Sequence, residues 1–145
     1  VSTSAQVITS SFTTLVQFDP VAVDTPGDEA PHADAAMADL TNAHIVARYS
    51  GLYIIHGYVQ FSADSDGSTR QLMLKVNGTT WIARAAGPVQ TYLGITPSAV
   101  HIHCAYTLDP GDYVDLWALH DAGAGVSLLA TEGASRLEAT WASLQ

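Results

Sequence analysis

The chain has 145 residues, with 14 acidic side chains against 5 Lys and Arg, and a formal net charge of −9 at pH 7. This length fits one domain, and such a domain buries about two-thirds of its unfolded surface, so it needs no disulfide bonds. The acidic balance excludes nucleic-acid binding through phosphates and disfavours an anionic membrane surface. No apolar run approaches the ~20 residues of a membrane-spanning helix.

Short runs of alternating apolar and polar side chains, separated by turn residues, predict antiparallel strands along the whole chain. Residues 1–11 are interpreted as an N-terminal arm, and residues 11–19 as a strand with an apolar face that begins at Phe12. Residues 20–42 are acidic and rich in turn residues, which predicts a long surface loop. A loop of this length in a compact domain is usually functional or mobile. A short strand follows at residues 44–49.

The longest predicted strand spans residues 52–63 and is largely apolar on both faces, so both faces should be covered. Residues 64–68 predict a turn, and residues 70–76 predict the next strand. The Asn-Gly pair at 77–78 is the strongest short-range signal for a hairpin, because both residues tolerate a positive φ. Residues 79–85 return from this hairpin.

The second half of the chain continues the same pattern, with a tight turn at residues 109–112. The predicted strands are residues 99–108, 113–120, 126–131 and 135–144. Strand 113–120 is apolar on both faces apart from Asp115. A two-sheet sandwich covers only one face of each sheet, and a second copy of the chain is the simplest cover for the other. The sequence predicts an all-β sandwich of about ten strands that forms a single domain over residues 1–145.

Several segments match the motifs of one known superfamily. Residues 51–59 (GLYIIHGYV) fit a G-x-Y-x-F-x-x-x-V strand, residues 74–78 (LKVNG) fit an L-x-x-N-G hairpin, and residues 108–116 (LDPGDYVDL) fit L-x-x-G-D-x-V-x-L. Together they resemble the heads of the complement C1q and tumour-necrosis-factor (TNF) jelly-roll superfamily. Residues 12–25 are similar to the opening of its bacterial and phage branch, and residues 135–144 take the place of its last strand.

This resemblance implies a ten-stranded jelly roll that assembles as a tight homotrimer. It further implies that the first, third, sixth and last main strands form the inner sheet that makes the trimer contact. The residues predicted at that contact are His56, Tyr58, Gln60, Tyr113, Asp115, Trp117, Arg136, Glu138 and Thr140. The chain departs from the superfamily pattern at Ile55, where Phe is usual, and at Leu137 and Ala139, where Phe and Gly are usual.

The histidines leave two interpretations open. His101 and His103 share a face of one strand, a spacing that suits a metal only if a third ligand arrives from elsewhere, and a solvated face is favoured. His44, His56 and His120 lie near apolar residues on strands. Grouped about a threefold axis they would titrate near pH 6 and loosen a trimer, whereas the favoured interpretation is structural.

Ligand-binding residues are predicted from exposed aromatic side chains, which stack on sugars, and from acidic loop residues. They are Trp81, Tyr92, Asp64, Asp66 and Asp121. The first two of these aspartates match the start of a calcium loop, but the later ligands do not follow. No metal and no cofactor is therefore predicted. The single cysteine, Cys104, is predicted to be buried and unreactive.

No sequence motif for catalysis is present: there is no G-x-S-x-G, no H-E-x-x-H and no glycine-rich phosphate loop. The chain is therefore predicted not to be an enzyme. The favoured function is the receptor-binding head of a phage fibre or a similar trimeric virion or cell-surface protein, with a glycan or protein receptor. The alternatives are a capsid-decoration trimer that cements other virion proteins, and a secreted bacterial ligand. The predicted location is the virion surface or the extracellular space.

Overall fold

The computed structural model describes residues 5–18, 37–39, 41–89, 97–129 and 135–142. These residues form eleven strands, and no helix capable of crossing a membrane occurs among them. In chain order the strands are β1 (Val7–Ile8), β2 (Thr14–Leu15), β3 (Ala38–Asp39), β4 (His44–Val46), β5 (Gly51–Phe61), β6 (Arg70–Val76), β7 (Thr80–Gly87), β8 (Ser98–Leu108), β9 (Tyr113–His120), β10 (Val126–Ser127) and β11 (Ser135–Ala142). The all-β prediction is confirmed.

The strands form two main antiparallel sheets that pack face to face. The large sheet has the order β3-β4-β9-β6-β7, with β2 also paired to β9. The small sheet has the order β11-β5-β8, and β1 pairs with β10 beside it. The core lies between the two sheets because alternate side chains of each strand point inward. Fully buried core residues include Tyr53, Ile55, Val59, Phe61, Leu72, Leu74, Val114, Leu116 and Ala118.

Gly57, in the middle of β5, packs against side chains from both sheets. A Cβ atom at this position would stand 2.8 Å from Cγ2 of Ile102 on β8. It would stand equally close, at 2.8 Å, to Cδ1 of Leu116 on β9 in the opposite sheet. Glycine is therefore needed here for its missing side chain.

The predicted Asn-Gly hairpin is confirmed, with φ of 53° at Asn77 and 67° at Gly78. The side chain of Asn77 also joins this hairpin to the 109–112 turn. Its Oδ1 accepts from the Tyr113 N–H at 3.0 Å, and its Nδ2 donates to Oδ1 of Asp112 at 2.8 Å. This hydrogen bond from Asn77 holds the pKa of Asp112 below its usual range. The side chain thus fixes the two turns to each other at one end of the sandwich.

The predicted strand at residues 11–19 is shorter than the alternation indicated. Ser11 has a φ of 62°, and the Phe12 N–H bonds back to the Thr9 carbonyl, so the chain turns before β2 begins. Phe12 is consequently 67% exposed while Val16 is fully buried, and the two do not share a covered face. Most of the predicted 20–42 loop lies outside the described residues, and its described part contains β3.

Three of the four strands predicted to share the inner sheet, β5, β8 and β11, do lie in one sheet. The first strand is an exception, since β2 pairs with β9 in the large sheet. Tyr113, Asp115 and Trp117 also lie on β9, so the prediction that they share a sheet with the other contact residues is wrong. The alternation along β9 correctly separates its two faces, but it carries no information on which sheet the strand joins.

Candidate functional surfaces

The outward face of the small sheet, called the small-sheet face, is not covered by another layer of the described chain. Its side chains alternate with the core residues of β5, β8 and β11. They are Leu52, Ile54, His56, Tyr58, Gln60, Ala99, His101, His103, Ala105, Thr107, Arg136, Glu138, Thr140 and Ala142. The large side chain of Ile54, in the first half of β5, is 47% exposed.

Strand register divides the small-sheet face into an apolar half and a polar half. In the apolar half, Thr140 and Ala105 flank Ile54, and the next row is Ala142, Leu52 and Thr107. In the polar half, the two rows are Arg136, Tyr58 and His101, and then Glu138, His56 and His103. The apolar half offers two branched aliphatic side chains, Ile54 and Leu52, flanked by Ala and Thr residues, which lets another surface approach closely.

Side chains in the polar half contact one another across the three strands. His56 Nδ1 lies 3.6 Å from Oε2 of Glu138, and the other carboxylate oxygen is 3.1 Å from Arg136 Nε. The His56 and His101 rings stack with centroids 5.9 Å apart, and the Tyr58 ring lies 4.5 Å from that of His101. The polar half is therefore an imidazole cluster with one carboxylate.

Six of the nine predicted contact residues share the small-sheet face, and three do not. The six are His56, Tyr58, Gln60, Arg136, Glu138 and Thr140. The prediction of contact residues omitted every side chain of β8, although the sixth main strand was expected in the inner sheet. The alternation of residues 99–108 would have identified His101 and His103 as members of this face.

The large sheet carries a histidine between two carboxylates on its outward face. His44 Nε2 is 3.4 Å from Oδ2 of Asp39, its Nδ1 is 3.6 Å from Oδ1 of Asp115, and its ring stacks on Tyr113 at 4.4 Å. Burial raises the pKa of Asp115, and the nearby His44 opposes this rise. Two hydrogen bonds from Asn42 lower the pKa of Asp39. His44 thus holds β3, β4 and β9 together.

The only lysine of the chain lies between two tryptophans on the same outward face. Nζ of Lys75 is 4.1 Å from the ring centroids of both Trp81 and Trp117, within the range of a cation–π contact. Trp81 is 49% exposed. Beside it, Arg84 Nε donates to Oε1 of Gln71 at 2.7 Å. We call these five side chains the Trp81 patch, a surface with an exposed aromatic ring and two cations.

The predicted calcium-like loop at residues 64–68 is closed by a buried arginine. Arg70 has no exposed surface, and its guanidinium donates to the carbonyls of Asp64 at 3.2 Å, Asp66 at 3.0 Å and Thr69 at 3.0 Å. Two backbone oxygens of the loop therefore already bind a cationic side chain. No group of three His, Cys, Asp or Glu side chains suited to a metal occurs in the described ranges.

Asp121 fixes the other side of this loop. Its carboxylate accepts from the N–H of Ser68 at 2.8 Å, the hydroxyl of Ser68 at 2.8 Å and the N–H of Thr69 at 2.7 Å. These hydrogen bonds lower the pKa of Asp121 to about 2. The carboxylate also lies 4.0 Å from Nη1 of Arg70. Asp121 is thus engaged in holding the loop onto the end of β9.

The structure does not bring the predicted ligand-binding residues together. Asp64, Asp66 and Asp121 gather at the start of β6, whereas Trp81 pairs with Lys75 near its end. Five residues of strand separate the two places, or about 17 Å. Tyr92 lies outside the described residues. The aspartates and Trp81 therefore belong to different surfaces.

Two further titratable side chains, His120 and Cys104, are buried or partly buried in the protein. His120 is fully buried, and its Nε2 lies 2.7 Å from the Ile8 carbonyl while its Nδ1 accepts from the Ala122 N–H at 3.2 Å. It fastens β1 to the end of β9, which agrees with the favoured structural interpretation of this histidine. Cys104 is partly buried against the core, and this burial raises the pKa of its thiol.

The fold is a jelly roll of the C1q and TNF type, with β11-β5-β8 packed on β3-β4-β9-β6-β7. Comparison with solved structures confirms this. The chain is similar to the globular domain of zebrafish complement 1qA protein, at 10% identity over 97% of this chain and 93% of that chain, with a TM-score of 0.56.

Two TNF-type structures show the same similarity. Eiger TNF from S. frugiperda is 16% identical over 89% of this chain and 87% of its own, with a TM-score of 0.52. Murine APRIL, solved at pH 5.0, is 11% identical over 90% of this chain and 95% of its own, with a TM-score of 0.53. No family model and no curated protein matches the chain. The likeness establishes the fold, and the bacterial or phage branch stays a prediction.

Proposed function

We propose that this chain is a non-enzymatic head domain that assembles as a homotrimer through the small-sheet face and binds a receptor with its outer surface. The observation that carries this proposal is the small-sheet face itself, on a C1q- and TNF-type fold. In our proposal the domain works outside the cell, on a virion such as a phage fibre or on a cell surface. A glycan is the receptor class that best suits the exposed aromatic side chain of Trp81.

The apolar half of the small-sheet face supports assembly. Ile54 is 47% exposed and stands among Leu52, Ala105 and Ala142, on a sheet that is already buried on its other side. Fully burying an Ile side chain contributes about 1.5–3 kcal/mol, and because Ile54 is already about half buried in one protomer, assembly adds about half of that for each copy. Permanent interfaces of this kind cover about 2,000 Å² or more and resemble a core. A second and a third copy of the chain, related by threefold symmetry, would cover the apolar half of each protomer.

Ile54→Asp is expected to convert the trimer into a folded monomer, because the carboxylate would be buried at the interface without a partner. The mass in solution at micromolar concentration, measured by light scattering after gel filtration, checks this. Trp81→Asp is the matched control, since Trp81 is as exposed as Ile54 but lies on the large sheet. It should remain a trimer. If Ile54→Asp stayed trimeric, another face would have to form the contact.

Support for glycan binding comes from the Trp81 patch. The exposed indole offers a flat apolar face to a sugar ring, and Lys75 on β6 holds the side chain in place through its 4.1 Å contact. Arg84, on the same strand as Trp81, adds a donor for sugar hydroxyls or carboxylates. The patch is on the opposite sheet from the small-sheet face, so assembly leaves it accessible.

Trp81→Ala is expected to weaken glycan binding about fivefold or more at each site, because stacking contributes about 1 kcal/mol beyond area burial. A glycan array with the wild-type protein identifies the ligand, and calorimetry then compares the variants. Trp141→Ala, which removes an exposed tryptophan on β11, should bind as the wild type does. A cementing trimer of a capsid would use the same small-sheet face but would bind no glycan on the array.

A further inference from the structure

Three of the six histidines of the chain are concentrated on the small-sheet face. His56 and His103 are directly paired across β5 and β8, and His101 pairs with the neighbouring Tyr58. Opposed side chains in such pairs have their Cβ atoms about 5 Å apart. The rings of His56 and His101 also stack, with centroids 5.9 Å apart. A protonated imidazole therefore repels a second positive charge on either of the other two rings.

The charged groups around this cluster do little to neutralise the positive charge of protonated imidazoles. Among the described residues of the face, Arg136 and Glu138 are the charged ones, and Tyr58 is the other titratable one. Glu138 is shared, with one oxygen 3.1 Å from Arg136 and the other 3.6 Å from His56. With neutral imidazoles the face therefore has no net charge. With all three protonated it carries a charge of +3 for each protomer.

We propose that acidification dissociates the homotrimer by protonating His56, His101 and His103 within the contact. This inference rests on the proposed function, because it requires the small-sheet face to be the interface. Three protomers would bring nine cationic rings, three guanidinium groups and three carboxylates into one desolvated region, where like charges are costly. In the separated protomers water screens these charges from one another.

The sign of the effect follows from linkage. Dissociation takes up protons because the imidazoles are more easily protonated in the monomer, so the trimer weakens as pH falls. Imidazoles ordinarily titrate near pH 6.5, which places the change between about pH 7.5 and pH 5. If one imidazole in each protomer were held one pKa unit lower in the trimer, association would weaken about 1,000-fold.

Sedimentation equilibrium of the wild-type protein at about pH 7.5 and about pH 5 tests the inference. The expected masses are those of a trimer at the higher pH and of a monomer at the lower one, with the strand signal in circular dichroism unchanged. A trimer at both pH values would overturn the inference and leave the proposed function intact. A monomer at both values would overturn the proposed homotrimer instead.

Two variants assign the effect to this cluster. H56Q/H101Q/H103Q should remain trimeric at about pH 5, whereas His44→Gln, on the large sheet, should dissociate as the wild type does. Should the triple variant fail to assemble at either pH, Glu138→Gln provides the second test. Removing the one carboxylate should move the dissociation midpoint to higher pH. A midpoint equal to that of the wild type would contradict the inference.

Discussion

Arg70→Met is expected to lower the free energy of unfolding by about 3 kcal/mol or more, which would make it one of the most damaging single changes in the chain. The guanidinium is fully buried and supplies donors to the carbonyls of Asp64, Asp66 and Thr69. Met fills similar space but leaves three acceptors without partners, and each such loss costs about 1–3 kcal/mol. Asp121 also loses the nearby cation.

Urea denaturation followed by circular dichroism measures this effect, at one fixed protomer concentration because assembly adds to apparent stability. Arg84→Met is the matched control, since Arg84 is exposed on β7 and its removal should change stability by about 0.5 kcal/mol or less. Equal midpoints for the two variants would show that the buried guanidinium does not hold the loop.

Gly57→Val is expected to lower the free energy of unfolding by about 3 kcal/mol, which is at the upper end of the usual cost of overpacking a core. The first added carbon would already lie 2.8 Å from both Ile102 and Leu116, and valine adds two further methyl groups between the sheets. The same urea series measures it. Gly123→Val is the control, because nothing lies within 4 Å of a Cβ atom there.

A second substitution tests whether a steric clash causes the loss of stability in Gly57→Val. Leu116→Ala removes the δ-carbon that would meet the new side chain, so G57V/L116A should be more stable than the sum of the two single changes predicts. Strict additivity in this cycle would contradict a direct clash between the two sheets.

The fold was largely predictable from the sequence because its strands have clear alternation and clear turns. The two-faced pattern of residues 52–63 anticipated β5, which pairs on both sides in the small sheet, and Asn77-Gly78 gave the hairpin. The position of β9 was not predictable in this way. Its alternation separates Val114 and Leu116 from Asp115, but either sheet would bury the same two residues.

The candidate surfaces were less predictable, because they depend on strand register and on side chains far apart in sequence. His101 and His103 share a face by alternation alone, but their meeting with His56 requires the pairing of β5 with β8. Lys75 and Trp81 sit on one hairpin, whereas Trp117 reaches them from β9. Nothing in the sequence indicates that Arg70 is buried, since its partners are backbone carbonyls of the preceding loop.

The mass of the wild-type chain in solution tests the proposed assembly most directly. Sedimentation equilibrium near pH 7.5 should give about 46 kDa, three times the 15.3 kDa of one chain, across micromolar protomer concentrations. The same mass should persist on dilution, because a core-like interface has a low dissociation constant. A species of 15.3 kDa under these conditions would contradict the homotrimer and, with it, the role assigned to the small-sheet face.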